Sequence, residues 1–113
     1  RGVDLAEWQI LSAKAAVRAG DLLRATILLR EARISLALPP DKQTKSKERE
    51  QANKNLNKET DADDELLLAL RNCLAHADRP KNKQIRDLLQ DEQALAKKLN
   101  RIADKLYQQR KDS

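Results

Sequence analysis

One stretch, LLLALRNCLAHADRP (66–80), gathers side chains able to bind an anion and move a proton. Arg71 and Asn72 are followed by His76, the only histidine of the chain. An imidazole titrates near neutrality and can carry a proton. A guanidinium holds charged oxygens with a planar fork. The two together are parts for proton transfer beside a bound anion. A structural role fits the same residues: a histidine near a helix C-terminus favours the dipole and caps the last carbonyls. Arg71 would then pair with an acid, and Asn72 would face solvent.

The elements that must position these residues follow from composition. The 113 residues are 36% charged, 40% hydrophobic and 2% aromatic, rich in Ala, Leu, Lys, Glu, Arg and Gln, with two glycines and no phenylalanine. This is the composition of helices, and the length fits one domain. The expected fold is all-α. A net charge of +5 suits an anionic partner without choosing among nucleic acid, membrane and acidic protein. No apolar run approaches the roughly 18 residues of a membrane span, and no signal peptide is visible. The single Cys73 allows no intrachain disulfide, so a reducing, cytoplasmic setting is expected. A chain that lacks methionine and begins at Arg1 is expected to be a segment of a longer protein.

Residues 4–19 read as a first helix with Asp4 as N-cap and an apolar face of Leu5, Trp8, Leu11, Ala15 and Ala19. Gly20-Asp21 reads as a stop and restart. A second helix over 21–38 buries Leu22, Ala25, Leu29, Ala32 and Leu36, ending at Pro39-Pro40. Residues 41–60, with one leucine and one alanine among polar side chains, predict a mobile loop, 39–60 with its flanking prolines. A third helix, opening on DADDE (61–65), runs to about Asp78 before Pro80. A fourth spans 83–109, with Ile85, Leu88, Glu92, Leu95, Leu99, Ile102 and Leu106 at alternating three- and four-residue steps. The expectation is an antiparallel up-and-down bundle of four helices in a single domain, 1–113.

On a helical projection of about 100° per residue, Leu66, Leu67, Leu70, Cys73, Leu74 and Ala77 share the core face of the third helix. Arg71 sits at its flank, and Asn72 and His76 stack on the far side. Leu68 and Ala75 are interleaved with them. A helix apolar on nearly every side is buried on every side. The expected cover for the second face is another chain, in a symmetric dimer that uses Leu68 and Ala75.

The pattern Arg71-Asn72-x-x-Ala75-His76, preceded by Leu70, resembles the arginine–polar–x(n)–histidine signature of the HEPN superfamily. It looks most like the HEPN ribonuclease domains of ancillary nucleases in type III CRISPR defence. The resemblance implies a helical bundle, dimerisation through the motif region, and metal-independent cleavage of single-stranded RNA by Arg71, Asn72 and His76. It implies no cofactor. In such nucleases an upstream sensor domain binds cyclic oligoadenylate, and nothing like it is in these residues. Other members are toxins of toxin–antitoxin pairs, or scaffolds and nucleotide binders that have lost cleavage. The chemistry agrees with the transfer. Cutting RNA without metal needs a base for the 2′-hydroxyl, an acid for the leaving 5′-oxygen and cation density on the phosphorane. One histidine cannot readily be both acid and base, so two chains would supply two histidines to one site, and a monomer is expected to be inactive.

Around this motif, Arg79, Lys81, Lys83 and Arg86 are positioned to guide RNA phosphates or to form an ordinary solvated turn. Asp61, Asp63 and Asp64 could hold Mg²⁺, but acids suit a helix start anyway; one His and one Cys exclude the usual zinc sets, and no metal is expected. Trp8 and Tyr107 are expected in the core, as is Cys73. Residues 5–39 also resemble a tetratricopeptide repeat through Trp8, Gly20-Asp21-Leu22, Ala25, Ala32 and the terminal proline. That likeness implies a non-catalytic interaction module, although no second copy follows.

Overall fold

The structure, a computed structural model, describes residues 4–58, 61–76 and 82–112, with the backbone alone at His76. Among the described residues there are six α-helices and no strand: α1 (Leu5–Arg18), α2 (Leu22–Leu36), α3 (Ser46–Lys58), α4 (Ala62–His76), α5 (Lys83–Gln90) and α6 (Glu92–Lys111), with one 3-10 turn at Pro40–Lys42. No described helix is long and apolar enough to cross a membrane.

The α1–α2 hairpin forms as its sequence dictates. Asp4 accepts from the Glu7 backbone N–H at 2.8 Å and caps α1. Gly20 takes φ +79°, where the Asp21 N–H reaches Ala16 O at 2.9 Å and the Gly20 N–H reaches Val17 O at 3.0 Å. This is the Schellman arrangement, which favours glycine. Asp21 then caps α2 through the Arg24 N–H.

The face α1 buries is not the predicted one. Ala6, Ile10, Ala13, Ala16 and Val17 face inward, whereas Trp8 is 50% exposed and Leu11 46%. Ala15 and Ala19 are exposed as well. Alanines let α1 approach α2 and α6 closely, and a tryptophan at that seam would force the helices apart. Trp8 is therefore a surface residue, while Tyr107 packs against the core. On α2 the prediction holds for Ala25, Leu29 and Ala32, which are fully buried, with Leu22 and Leu36 packed alongside.

Within the predicted loop over 41–60, the described residues 41–58 instead hold the end of the 3-10 turn and α3. Its Ala52 is the one buried residue of α3, and polar contacts do most of the anchoring. Arg49 donates from Nη1 to Ser35 Oγ (2.9 Å) and to the Gln43 carbonyl (2.7 Å), and from Nη2 to Glu31 Oε1 (3.0 Å). Ser35 in turn donates to Gln9 Oε1 at 2.7 Å, which ties α1 into the network. Such buried polar networks leave no apolar periodicity in the sequence.

The predicted helix over 83–109 is broken at Asp91, whose φ of −127° and ψ of 94° are extended. Asp91 ends α5 through its N–H to Leu88 O and caps α6 by accepting from the Ala94 N–H at 3.1 Å. Glu92, predicted on the apolar stripe, is exposed. The break lets α5 and α6 each turn their own apolar face inward. Leu95, Leu99, Ile102, Ala103 and Leu106 are buried on α6, while Ile85, Leu88 and Leu89 pack partly on α5.

Candidate functional site

Four residues set the rotation of α4. Leu66, Leu67, Leu70 and Cys73 are buried, Leu67 and Leu70 completely. Fully burying one leucine contributes about 1.5–3 kcal/mol, so the helix is held with this face inward. Leu74, predicted on the same face, is 36% exposed. Ala77 lies outside the described residues.

With the core face fixed, Arg71, Asn72 and Ala75 are exposed. His76 ends the helix, and its imidazole lies outside the described atoms. Leu68 is half-buried. Part of its cover comes from the same chain, where it borders a cleft. Both α3 and α4 lie against α2, leaving a cleft of about 450 Å³ between them. Ile27, Arg30 and Ile34 of α2 form its floor; Asn53 and Asn57 of α3 line one wall, and Leu68 and Arg71 of α4 the other.

The charges around this cleft are unevenly satisfied. Arg30 is 5% exposed and donates from Nη2 to Asn53 Oδ1 and Asn57 Oδ1, both at 2.8 Å. Its Nε lies 3.3 Å from Asp64 Oδ1, and its buried Nη1 has no hydrogen-bond acceptor. Burial lowers the Arg30 pKa, Asp64 works to raise it, and Arg33 and Arg71 add repulsion. A guanidinium nevertheless stays charged. Arg49, Glu31 and Glu50 also border the cleft. Glu31 is paired with Arg49 at 3.0 Å and Glu50 with Lys54 at 3.6 Å. Arg71 makes no hydrogen bond or ion pair among the described residues, so its guanidinium is left for something else.

The acidic start of α4 is held by cations. Asp64, fully buried, meets Arg30 and also Arg33 Nε, the latter at 3.1 Å. Asp61 meets Arg33 Nη2 at 3.1 Å and accepts the Asp64 N–H at 2.8 Å as a helix cap. Burial acts to raise the Asp61 pKa, but the cap hydrogen bond and Arg33 outweigh it and hold the carboxyl below its ordinary value. Asp63 takes Lys105 at 2.8 Å and Lys98 at 3.8 Å; its hydrogen bond and charge raise the Lys105 pKa. The three aspartates thus face arginine and lysine. Among the described residues no group of three or more His, Cys, Asp or Glu side chains is gathered as around a metal.

Of the predicted RNA-guiding cations, Arg79 and Lys81 lie outside the described residues. Lys83 is exposed, 3.8 Å from Asp87, and Arg86 is half-buried. Neither borders the cleft. The cleft residues Arg30, Asn53 and Asn57 escaped the sequence reading. Their signals were an arginine between Ile27 and Ile34 at helical spacing, and two asparagines four apart in a stretch that reads as loop. Compared with known proteins, the chain matches no family model, no curated protein and no solved structure.

Proposed function

We propose that this chain is a HEPN-type ribonuclease domain that cleaves single-stranded RNA without metal, through an Arg/His site completed by a second copy. It would act in the prokaryotic cytoplasm, in CRISPR-linked or toxin-type defence, within an up-and-down helical bundle. The observation that supports this reading is Arg71: a solvent-facing guanidinium without an ion pair among the described residues, at the mouth of a cleft, on the helix that ends at His76. Arg18, Arg24 and Arg101 are exposed as well but do not border the cleft, while Arg30, Arg33, Arg49 and Arg110 are engaged with carboxylates.

In the proposed reaction one imidazole removes the 2′-hydroxyl proton, and the 2′-oxygen attacks the adjacent phosphorus. A second imidazole protonates the departing 5′-oxygen, leaving a 2′,3′-cyclic phosphate and a 5′-hydroxyl. Arg71 neutralises charge on the phosphorane, and Asn72 orients the imidazole or donates to phosphate. Two copies meeting through the exposed end of α4, with Leu68 and Ala75, would bring the two histidines together.

The test is cleavage of a fluorescent single-stranded RNA in excess EDTA by wild type and His76→Ala purified in parallel. Cutting by wild type alone, with 2′,3′-cyclic ends, is the expected result. Equal cutting by both would point to a contaminating nuclease and overturn the assignment.

A second reading, a non-catalytic helical interaction module of tetratricopeptide or inactive-scaffold kind, is favoured by the outward Trp8 and Leu11 on α1. It expects no cleavage by a well-folded protein under any of these conditions.

A further inference from the structure

The cleft between α3 and α4 offers donors on one wall and an apolar floor. Arg30 Nη2 occupies the Oδ1 of both Asn53 and Asn57, which fixes each carboxamide with its oxygen toward Arg30. The Nδ2 of Asn53 is then left as a donor, and it makes no hydrogen bond among the described residues. Across the cleft stand Leu68 and the unpaired Arg71, and beneath lie Ile27 and Ile34. Buried Arg30 keeps Nη1 unaccepted with its charge countered by Asp64. Glu31 and Glu50 are countered by Arg49 and Lys54, which leaves Arg71 as the unpaired charge bordering the cleft. A ligand that fits has an anionic end for Arg71, a flat apolar face for the isoleucines and leucine, and an acceptor at its edge for Asn53. A nucleotide has all three, and about 450 Å³ is within the range of small-ligand sites.

We propose that this cleft seats one nucleotide of the RNA strand, its phosphate on Arg71 and its base over Ile27, Ile34 and Leu68, with Asn53 Nδ2 donating to the base edge. The proposal rests on the ribonuclease reading for the role of this nucleotide, a neighbour of the scissile phosphate. It makes Asn53 a substrate-binding residue carried by a helix that the motif does not include.

Asn53→Asp tests it, because aspartate keeps the oxygen that Arg30 needs and replaces the donor with a negatively charged acceptor. Ile27→Trp, from a position 39% exposed, fills the cleft without touching the core or changing the cleft's charge. Binding of a fluorescent 2′-O-methyl oligonucleotide, which cannot be cut, is measured by anisotropy at low salt beside RNA cleavage and thermal unfolding. Both variants are expected to unfold like wild type and to bind about tenfold more weakly. Unchanged affinity in both overturns the cleft. Asn53-dependent binding with no RNA cleavage by wild type keeps the cleft and removes the nuclease. No binding by wild type removes both.

Discussion

Arg30 and Asp64 form the most deeply buried ion pair among the described residues, with side chains 6% and 0% exposed. Both bring charge out of water, and Arg30 Nε and Nη1 and Asp64 Oδ2 are left without a hydrogen bond. Removing one partner leaves the other charge stranded, so Asp64→Asn should cost about 3–5 kcal/mol. The apolar double variant Arg30→Met/Asp64→Leu strands no fully buried charge but takes one carboxylate from Arg33 and the donor from Asn53 and Asn57; it should cost less. Urea unfolding of the two variants beside wild type measures the difference. Asp61 carries a gentler prediction. Its pKa is held below the ordinary value, so the native state binds its proton less readily than the unfolded chain does. The stabilisation is complete above the unfolded carboxylate value of about 3.9 and disappears as pH falls through the lower native value. Asp61→Asn keeps a competent cap. It should unfold at slightly lower urea than wild type above pH 5, and the gap should close in more acid solution. The effect is small, because the side chain is 57% exposed.

Two elements depart from what periodicity predicts, and in each case polar groups decide. Asp91 serves both helices it separates. Asp91→Ala should lose the α6 cap and cost about 1 kcal/mol, seen as a lower unfolding midpoint with an unchanged slope in urea. The other departure is α3, one buried alanine and a set of hydrogen bonds. Arg49 is its main fastening, so Arg49→Ala should raise amide exchange throughout 46–58 before α1, α2 and α6 are affected, the behaviour of a locally opening unit. The outcome bears on the cleft, whose α3 wall should loosen with it.

At the scale of the whole molecule, one histidine per chain ties the proposed activity to assembly. Specific activity should therefore rise with chain concentration and level off as the dimer saturates, with sedimentation following the same curve. Cleavage that stays proportional to chain concentration while the protein sediments as a monomer would remove the composite site. The net charge of +5 adds a salt dependence, since phosphate contacts release counterions and weaken as salt rises.

The helical class, the caps at Asp4 and Asp21, the turn at Gly20, the buried face of α2 and most of that of α4 were legible in the residues alone. These rest on local rules of φ, capping and period, which need no knowledge of neighbours. The sequence also supplied Arg71, Asn72 and His76 as a pattern. Tertiary structure decided what several chemically similar choices left open. On α1 two apolar faces competed, and the closer fit of alanines selected one and left Trp8 outside. At 46–58 helix formation depended on Arg49, Asn53 and Asn57 meeting groups on α2 that are distant in the chain. The cleft exists only because two helices share α2 without filling the space between them, a property of packing that no linear spacing encodes.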